Sequence, residues 1–557
     1  MSEIGARVLA ARGILPDDVP LYLEPTLRDL LPDPDKFHDM ARGAERLATA
    51  IMQDECIGIF GDYDVDGATS AALLTRFIRA AGGRTAAHIP DRIAEGYGPN
   101  APAILNLKDR RGCGVVVTVD CGTLSFGPLR EVRDGGLDVI VVDHHTAESE
   151  LPPALAVINP NRMDEVPGYG QLAAVGVAFL LAVAVNRTLR DAGWYRQNPP
   201  EPNLLQWLDM VALGTVCDVV PLTGINRALV LQGLKVLAAR RLLGLRALAD
   251  VAGIDETPSA YHLGFILGPR INAGGRVGEA DLGYRLLTTE HEDEAWHLAR
   301  KLDALNKERQ DIELGVLDAA LRRMTDAAFA NSPTAIADGA SWHPGVIGIV
   351  ASRLKERFNR PACVISWDGE TGVGSGRSVK GVDLGTAIIA ARQAGLLEKG
   401  GGHAMAAGFT VTKQKFGGFM DFLNDRVAAA IADVGMQANI SVDGYLRPGG
   451  ANLGLAEELA ALGPFGSGNP EPRFIIPDVR LTYCDVVGQN HVKCRIAKED
   501  GGNLDGIAFR ALDSELGAAL LEHDGRRLNL VGKIRSNSWM GRVSPQLQIE
   551  DAGYCGG

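Results

Sequence analysis

The sequence predicts a multidomain α/β chain: a parallel-sheet domain, a long connecting helix, a second α/β domain and a small C-terminal β-barrel. Three observations carry this. First, short β-branched runs at Ile57–Phe60, Gly114–Val119 and Val139–Val142 alternate with helix-length segments. Fully apolar strands in that rhythm belong to a parallel sheet covered on both faces. Second, Leu298, Leu302, Leu305, Ile312 and Val316 form one stripe within residues 291–325, the mark of a single amphipathic helix. Third, beyond about residue 440 helical spacing fades, and alternating stretches such as Leu528–Ile534 and Gln546–Ile549 suggest a barrel.

The elements follow in order. Residues 1–45 are rich in Pro and Asp and read as an irregular extension packed on the next domain. Residues 46–240 form the first domain, with a helix over 71–81 and another over 204–213. Residues 241–330 are helical and include the strut, 331–435 return to Gly-rich α/β, and 436–557 form the barrel. The longest apolar run, Leu172–Val185, has 14 residues and is too short to span a bilayer.

Composition excludes several classes. The 557 residues suit about three to four domains. Net charge is −13, so the chain is not a globally basic binder, although a local basic groove remains open. The eight cysteines contain no Cys-x-x-Cys pair, which argues against zinc ribbons and thioredoxin-like sites. Sparse cysteines and no signal-like N-terminus suit a cytoplasmic protein with no membrane partner.

The chemistry lies at the strand ends. Asp62, Asp64 and Asp66 fall within Gly61–Gly67, directly after the first apolar run. Carboxylates that close repel one another unless water or a cation neutralises them. An EF-hand does not fit, because no Glu follows at the required spacing. Asp120 ends the second run, and Asp143-His144-His145 ends the third. Open parallel sheets bind ligands beyond the carboxyl ends of their strands. Asp218 stands among valines after the 204–213 helix, as either a structural carboxylate or a ligand. Carboxylates with an imidazole suit Mn²⁺ or Mg²⁺. Four or five carboxylates can hold two such ions, the arrangement that hydrolyses phosphate esters and anhydrides.

These residues, in this order, resemble the motifs of the DHH phosphoesterase superfamily. Gly400–Gly408 resembles the Gly-Gly-His signature of its associated substrate domain. Pro269–Gly278, Asn306–Gln310 and Trp342–Arg353 resemble its single-strand-specific exonuclease branch. The resemblance covers roughly residues 45–557 and implies a DHH catalytic domain, a DHH-associated domain and an OB-like barrel. It places Asp64, Asp66, Asp120, His144 and Asp218 on the metal ligands. It puts His145 near the scissile phosphate, Asp62 as a shaper of the site or its water, and Asp143 as an orienting acceptor. Some relatives carry a ligating His where this chain has Phe60, so its metal shell must differ from theirs.

For the strand, the resemblance points to His343, Arg353, Ser375, Arg377, Gly401, Gly402 and His403. Arg92, Arg270 and Arg276 are candidates for gripping a 5′-terminal phosphate. In the barrel, residues 526–549 hold five basic residues and no acidic one. Lys533, Arg535 and Trp539 within them suit a single strand, where phosphates pair and bases stack. The implied activity is 5′-to-3′ exonuclease cleavage of single-stranded DNA to 5′-mononucleotides with Mn²⁺ or Mg²⁺, in repair and recombination. The implied partners are a helicase and a single-strand-binding protein. The rival readings are a phosphodiesterase for short oligonucleotides or cyclic dinucleotides, and a binding scaffold with a dead metal site. Every matched ligand position is intact, which disfavours the scaffold.

Overall fold

The computed structural model describes all residues except 93, 97, 197–198, 326–331, 435–438, 498–502, 540 and 556–557. Its first sheet contains β1 (Cys56–Gly61), β2 (Arg84–His88), β3 (Cys113–Val119), β4 (Asp138–Val142) and β5 (Ala156–Ile158). The order is β2-β1-β3-β4-β5, and every pairing is parallel. Side chains alternate between two buried layers. Ile57, Ile59, Val115 and Val117 face one layer; Phe60, Val116, Val139 and Val141 face the other. This is why the strands read as unbroken apolar runs. The order reverses between β1 and β3, so a crevice opens beyond their carboxyl ends.

The second sheet contains β6 (Ala335–Ala340), β7 (Ala362–Asp368), β8 (Thr371–Arg377), β9 (Lys399–His403) and β10 (Ala406–Thr412), in the order β6-β7-β8-β10-β9. The helix Glu292–Arg323 joins the two domains. It packs Leu298 and Leu302 into the first core, and Val316 and Ala320 into the second.

The third sheet contains β11 (Gly444–Tyr445), β12 (Phe474–Val487), β13 (His491–Ala497), β14 (Asn503–Ala508), β15 (Leu528–Trp539) and β16 (Arg542–Tyr554). Pairing of β12 with both β13 and β15 closes it into a barrel. Among the described residues, no helix is long and apolar enough to cross a membrane.

Two local expectations are corrected. The N-terminal stretch is largely helical and divides its contacts. Val8 and Leu9, on the helix Glu3–Ala11, are buried in the barrel core, whereas Phe37 is buried in the core of the first sheet. The helix expected over 204–213 starts as a 3₁₀ turn, Leu204–Trp207, and continues as Leu208–Cys217. Asp218 therefore caps that helix and does not lie in a loop beyond it.

Arg227 ties these parts together. It is 2% exposed. Its Nε donates to the Tyr22 carbonyl at 2.8 Å, its Nη1 to the Leu462 carbonyl at 3.0 Å, and its guanidinium lies 4.0 Å from the Tyr22 ring centroid. One side chain thus joins the N-terminal segment, the first domain and the neck of the barrel. Hydrogen bonds to a buried charge contribute about 1.5–3 kcal/mol each. Arg227→Ala is expected to cost about 3 kcal/mol, read as a lower urea midpoint; an unchanged midpoint would contradict this role.

Candidate metal and nucleic-acid site

The sheet positions the acids by extending its own ladder one residue past each strand. The Asp62 amide donates to the Val119 carbonyl at 3.3 Å, that of Asp120 to Val142 at 2.9 Å and that of Asp143 to Ile158 at 3.1 Å. Three carboxylates are so fixed along one edge. Asp120 adopts a left-handed backbone (φ 61°), uncommon for a residue with a Cβ. Asp64 caps the helix Val65–Ala80 and accepts from the Gly67 amide at 3.0 Å. A Cβ on Gly67 would lie 2.5 Å from the Asp62 carbonyl oxygen, so the acidic turn closes only over a glycine.

The side chains converge. His144 Nε2 lies 3.3 Å from Asp120 Oδ1, 3.6 Å from Asp218 Oδ2 and 4.0 Å from Asp66 Oδ2. Ligand atoms of Asp62, Asp64 and Asp120 lie within 4.8 Å of one another, as do those of Asp66, His144 and Asp218, and those of Asp120, His144 and His145. Asp66 is anchored by the amides of Ala174 and Val175, at 2.7 and 2.9 Å, at the start of the helix Ala174–Asp191. Phe60, by contrast, is fully buried in the apolar layer beside β3, its ring 5.4 Å from that of His88.

So much like charge is costly. Burial first, then neighbouring carboxylates, push Asp66 up to about 7 and Asp218 up to about 9, and raise Asp62 and Asp120. Burial, then His145, lowers His144 to about 4 and keeps its imidazole neutral. Burial would also lower His145, but its 2.7 Å hydrogen bond to Asp143 and the charges of Asp143, Asp218 and Asp62 together outweigh this and raise it to about 9. Asp62 Oδ1, His144 Nε2 and Asp218 Oδ2 are buried with no hydrogen-bond partner among the described residues. Buried polar atoms without partners and crowded carboxylates fit a hard divalent cation.

Behind the histidines, sequence reasoning reached Asp143 but missed Thr123, Asn159 and Asn161. Asp143 Oδ1 accepts from the amides of His144 (2.8 Å) and His145 (3.2 Å), and its Oδ2 accepts from the Thr123 amide at 3.0 Å. Asn159 is fully buried and donates to Thr123 Oγ1 and to the His145 carbonyl, both at 2.8 Å. Asn161 donates to the His144 carbonyl. The signal was available: Asn159-Pro-Asn161 follows another short apolar run, β5, on the same sheet edge.

Of the proposed strand-binding residues, some gather beside this edge. The Arg92 guanidinium lies 5.2 Å from the Tyr63 ring centroid. Burial, then Arg92, lowers Arg276 to about 10, and the same two causes lower Arg377. Arg377 Nη1 donates to Ser375 Oγ at 3.1 Å, and Arg276 donates to the Gly345 carbonyl at 3.0 Å. His343 caps the helix Pro344–Phe358, accepting from the Gly345 amide. Arg353 is half exposed, 3.4 Å from Glu313. Gly401, Gly402 and His403 lie on β9. A Cβ on Gly402 (φ 152°) would meet the Ala406 carbonyl oxygen at 2.3 Å, so only glycine fits that approach.

Other residues are already engaged. Arg270 Nε donates to Asp303 at 2.9 Å. The barrel stretch read as basic is neutralised from elsewhere in the chain: Glu471 pairs with Arg535 and Glu550 with Lys533. Trp539 is 72% exposed.

The three domains match three known families in order. Residues 56–215 match the DHH family N-terminal domain, 331–429 the DHHA1 domain and 442–551 the RecJ OB domain. Over 558 residues the chain is 39% identical to the single-stranded-DNA-specific exonuclease RecJ of Dickeya dadantii (strain 3937), covering 98% of this chain and 95% of that protein. The chain belongs to the RecJ family. The RecJ of Escherichia coli (strain K12) is 37% identical over 557 residues, covering 98% and 95%. Among solved structures, RecJ from Thermus thermophilus in complex with Mn²⁺ superposes with a TM-score of 0.81 at 31% identity, covering 99% of this chain and 76% of that one. The same protein in complex with Mg²⁺ gives 0.76 at 30%, covering 99% and 74%.

The clamp on the histidines and the crowding of the acids are both open to measurement. Asn159→Ala should weaken metal affinity about 10- to 100-fold, as loss of a group that orients ligands does. Calorimetric titration reads this, and unchanged affinity would contradict the clamp. The crowding should show in the pH dependence of stability. Asp66 and Asp218 titrate near about 3.9 when unfolded, so at neutral pH the folded metal-free protein retains protons that the unfolded chain has lost. Their stabilisation is complete below that value and fades as pH rises through about 7 and about 9. That of His145 also fades through about 9. Metal-free Tm should therefore fall between about pH 6 and 9, while the shift produced by added Mg²⁺ grows. A flat or rising metal-free Tm would contradict the assignment.

Proposed function

We propose that the chain is a divalent-metal exonuclease that degrades single-stranded DNA from its 5′ end and releases 5′-mononucleotides. The observation that carries this is the meeting of two groups along one edge: a buried carboxylate–imidazole cluster and the cationic cluster of Arg92, Arg276 and Arg377. Asp64, Asp66, Asp120, His144 and Asp218 would hold two ions, Mn²⁺ or Mg²⁺. Bound there, the ions supply a water of lowered pKa and neutralise charge on the phosphate. Asp62 orients the attacking water. Protonated His145, braced by Asp143, donates to the phosphate oxygen on which charge develops.

The three arginines, with Ser375, accept the terminal 5′-phosphate. Attack on the next phosphorus breaks its bond to O3′. The released nucleotide keeps a 3′-hydroxyl, and the shortened strand gains a new 5′-phosphate, so each turnover regenerates the group that is recognised. His343, Arg353 and the Gly401–His403 segment line the onward path, and Trp539 offers a face for base stacking. Ion pairs at Arg270, Lys533 and Arg535 make these three weaker contributors than the sequence alone implies. A cytoplasmic role in repair and recombination, beside a helicase and a single-strand-binding protein, belongs to the same reading.

One oligonucleotide labelled at either end tests it, with Mn²⁺ or Mg²⁺ and with EDTA and duplex controls. The expected result is immediate mononucleotide from the 5′ label and a shortening ladder from the 3′ label. Mononucleotide first from the 3′ label, or cleavage in EDTA, would overturn the proposal. Asp120→Ala should reduce cleavage to background while binding persists. Arg377→Ala should raise KM for 5′-phosphorylated strands about 10- to 100-fold, the effect of losing a charge-assisted contact, with little change for 5′-hydroxyl strands.

A further inference from the structure

All eight cysteines are free thiols in the structure, but four of them form two close pairs. In the barrel, Cys484 on β12 and Cys494 on β13 are direct partners across an antiparallel pair, with sulfurs 3.0 Å apart. Opposed residues in such a pair have Cα atoms about 4.5–5.5 Å apart, inside the range of about 4.4–6.8 Å that a disulfide spans. Their side chains leave the same face of the sheet. Cys484 is half-buried and Cys494 buried, so an oxidant meets Cys484 first with Cys494 directly behind it. We propose that Cys484 and Cys494 form a reversible oxidation site, closing to a cross-strand disulfide when a peroxide reaches Cys484.

The chemistry balances with hydrogen peroxide as the oxidant. The Cys484 thiolate attacks one peroxide oxygen; an S–O bond forms, the O–O bond breaks and, with one proton, water leaves. Cys494 then attacks the sulfenic sulfur; the S–S bond forms, the S–O bond breaks and a second water leaves. Two thiols and one peroxide become one disulfide and two waters. Contact with Cys494 also lowers the Cys484 pKa, which favours the reactive thiolate.

The second pair is a built-in contrast. Cys56 and Cys113 face each other across β1 and β3 with sulfurs 3.4 Å apart, but both are buried in the first domain. The barrel pair should therefore oxidise first. Cys555 is exposed and would react singly, so it is best removed.

The test uses the full chain carrying Cys555→Ser, reduced, treated with one equivalent of hydrogen peroxide and then alkylated. Non-reducing peptide mapping should find Cys484 linked to Cys494, Cys56 and Cys113 still alkylated, and the link reversed by dithiothreitol. With Cys494→Ser added, Cys484 should instead be trapped as a sulfenic acid by dimedone. Neither cysteine lies in the proposed catalytic or binding machinery, so nuclease activity matching the parent serves as the check on folding. Free Cys484 after treatment, a sulfinic acid without linkage, or a Cys56–Cys113 link forming first would each overturn the proposal.

Discussion

The constraint on which the rest depends is the repulsion among buried carboxylates at one sheet edge. Asp62, Asp66 and Asp120 are almost entirely buried, and Asp218 lies beside them. Without a cation they hold protons at pH values where carboxylates normally lose them. A fold keeps such an arrangement only if something rigid imposes it. Here the rigid element is the parallel ladder, which carries three amides past the strand ends and sets the spacing of their carboxylates. The switch in strand order supplies the crevice, and Asp66 and Asp218 enter it from the two helices that flank it.

The remaining architecture brings a second kind of charge to that edge. The 32-residue helix Glu292–Arg323 belongs to both cores, so it fixes the second sheet relative to the first. Arg377 and Ser375 on β8 thereby face Arg92 and Arg276. Acidic and basic side chains are segregated into a carboxylate pit and a guanidinium wall, which a net charge of −13 conceals. The barrel is held to the catalytic domain through Arg227 and the Leu222 amide, and to the N-terminal helix through Val8 and Leu9.

Much of this was legible in the sequence because the physics is local. A strand buried on both faces must be apolar throughout, so Ile57–Phe60, Gly114–Val119 and Val139–Val142 stand out, and any polar group ending them is conspicuous. What was not legible is set by contacts distant in sequence. Residues 526–549 look basic because Glu471, which pairs with Arg535, lies 64 residues away from it, while Glu550, which pairs with Lys533, falls just past the end of the stretch. The N-terminal helix reads as an extension because its apolar partners begin more than 400 residues later. Asn159 carries no charge and binds through its amide alone, so nothing but its place after a short strand marks it as the clamp on the histidine pair.

An edge built around divalent cations should show them when they are supplied. Anomalous scattering from crystals soaked in Mn²⁺ tests it most directly. Two peaks about 3.5–4 Å apart are expected, between the Asp62–Asp64–Asp120 and Asp66–His144–Asp218 groups. Absence of any peak, with the carboxylates paired instead through shared protons, would contradict it.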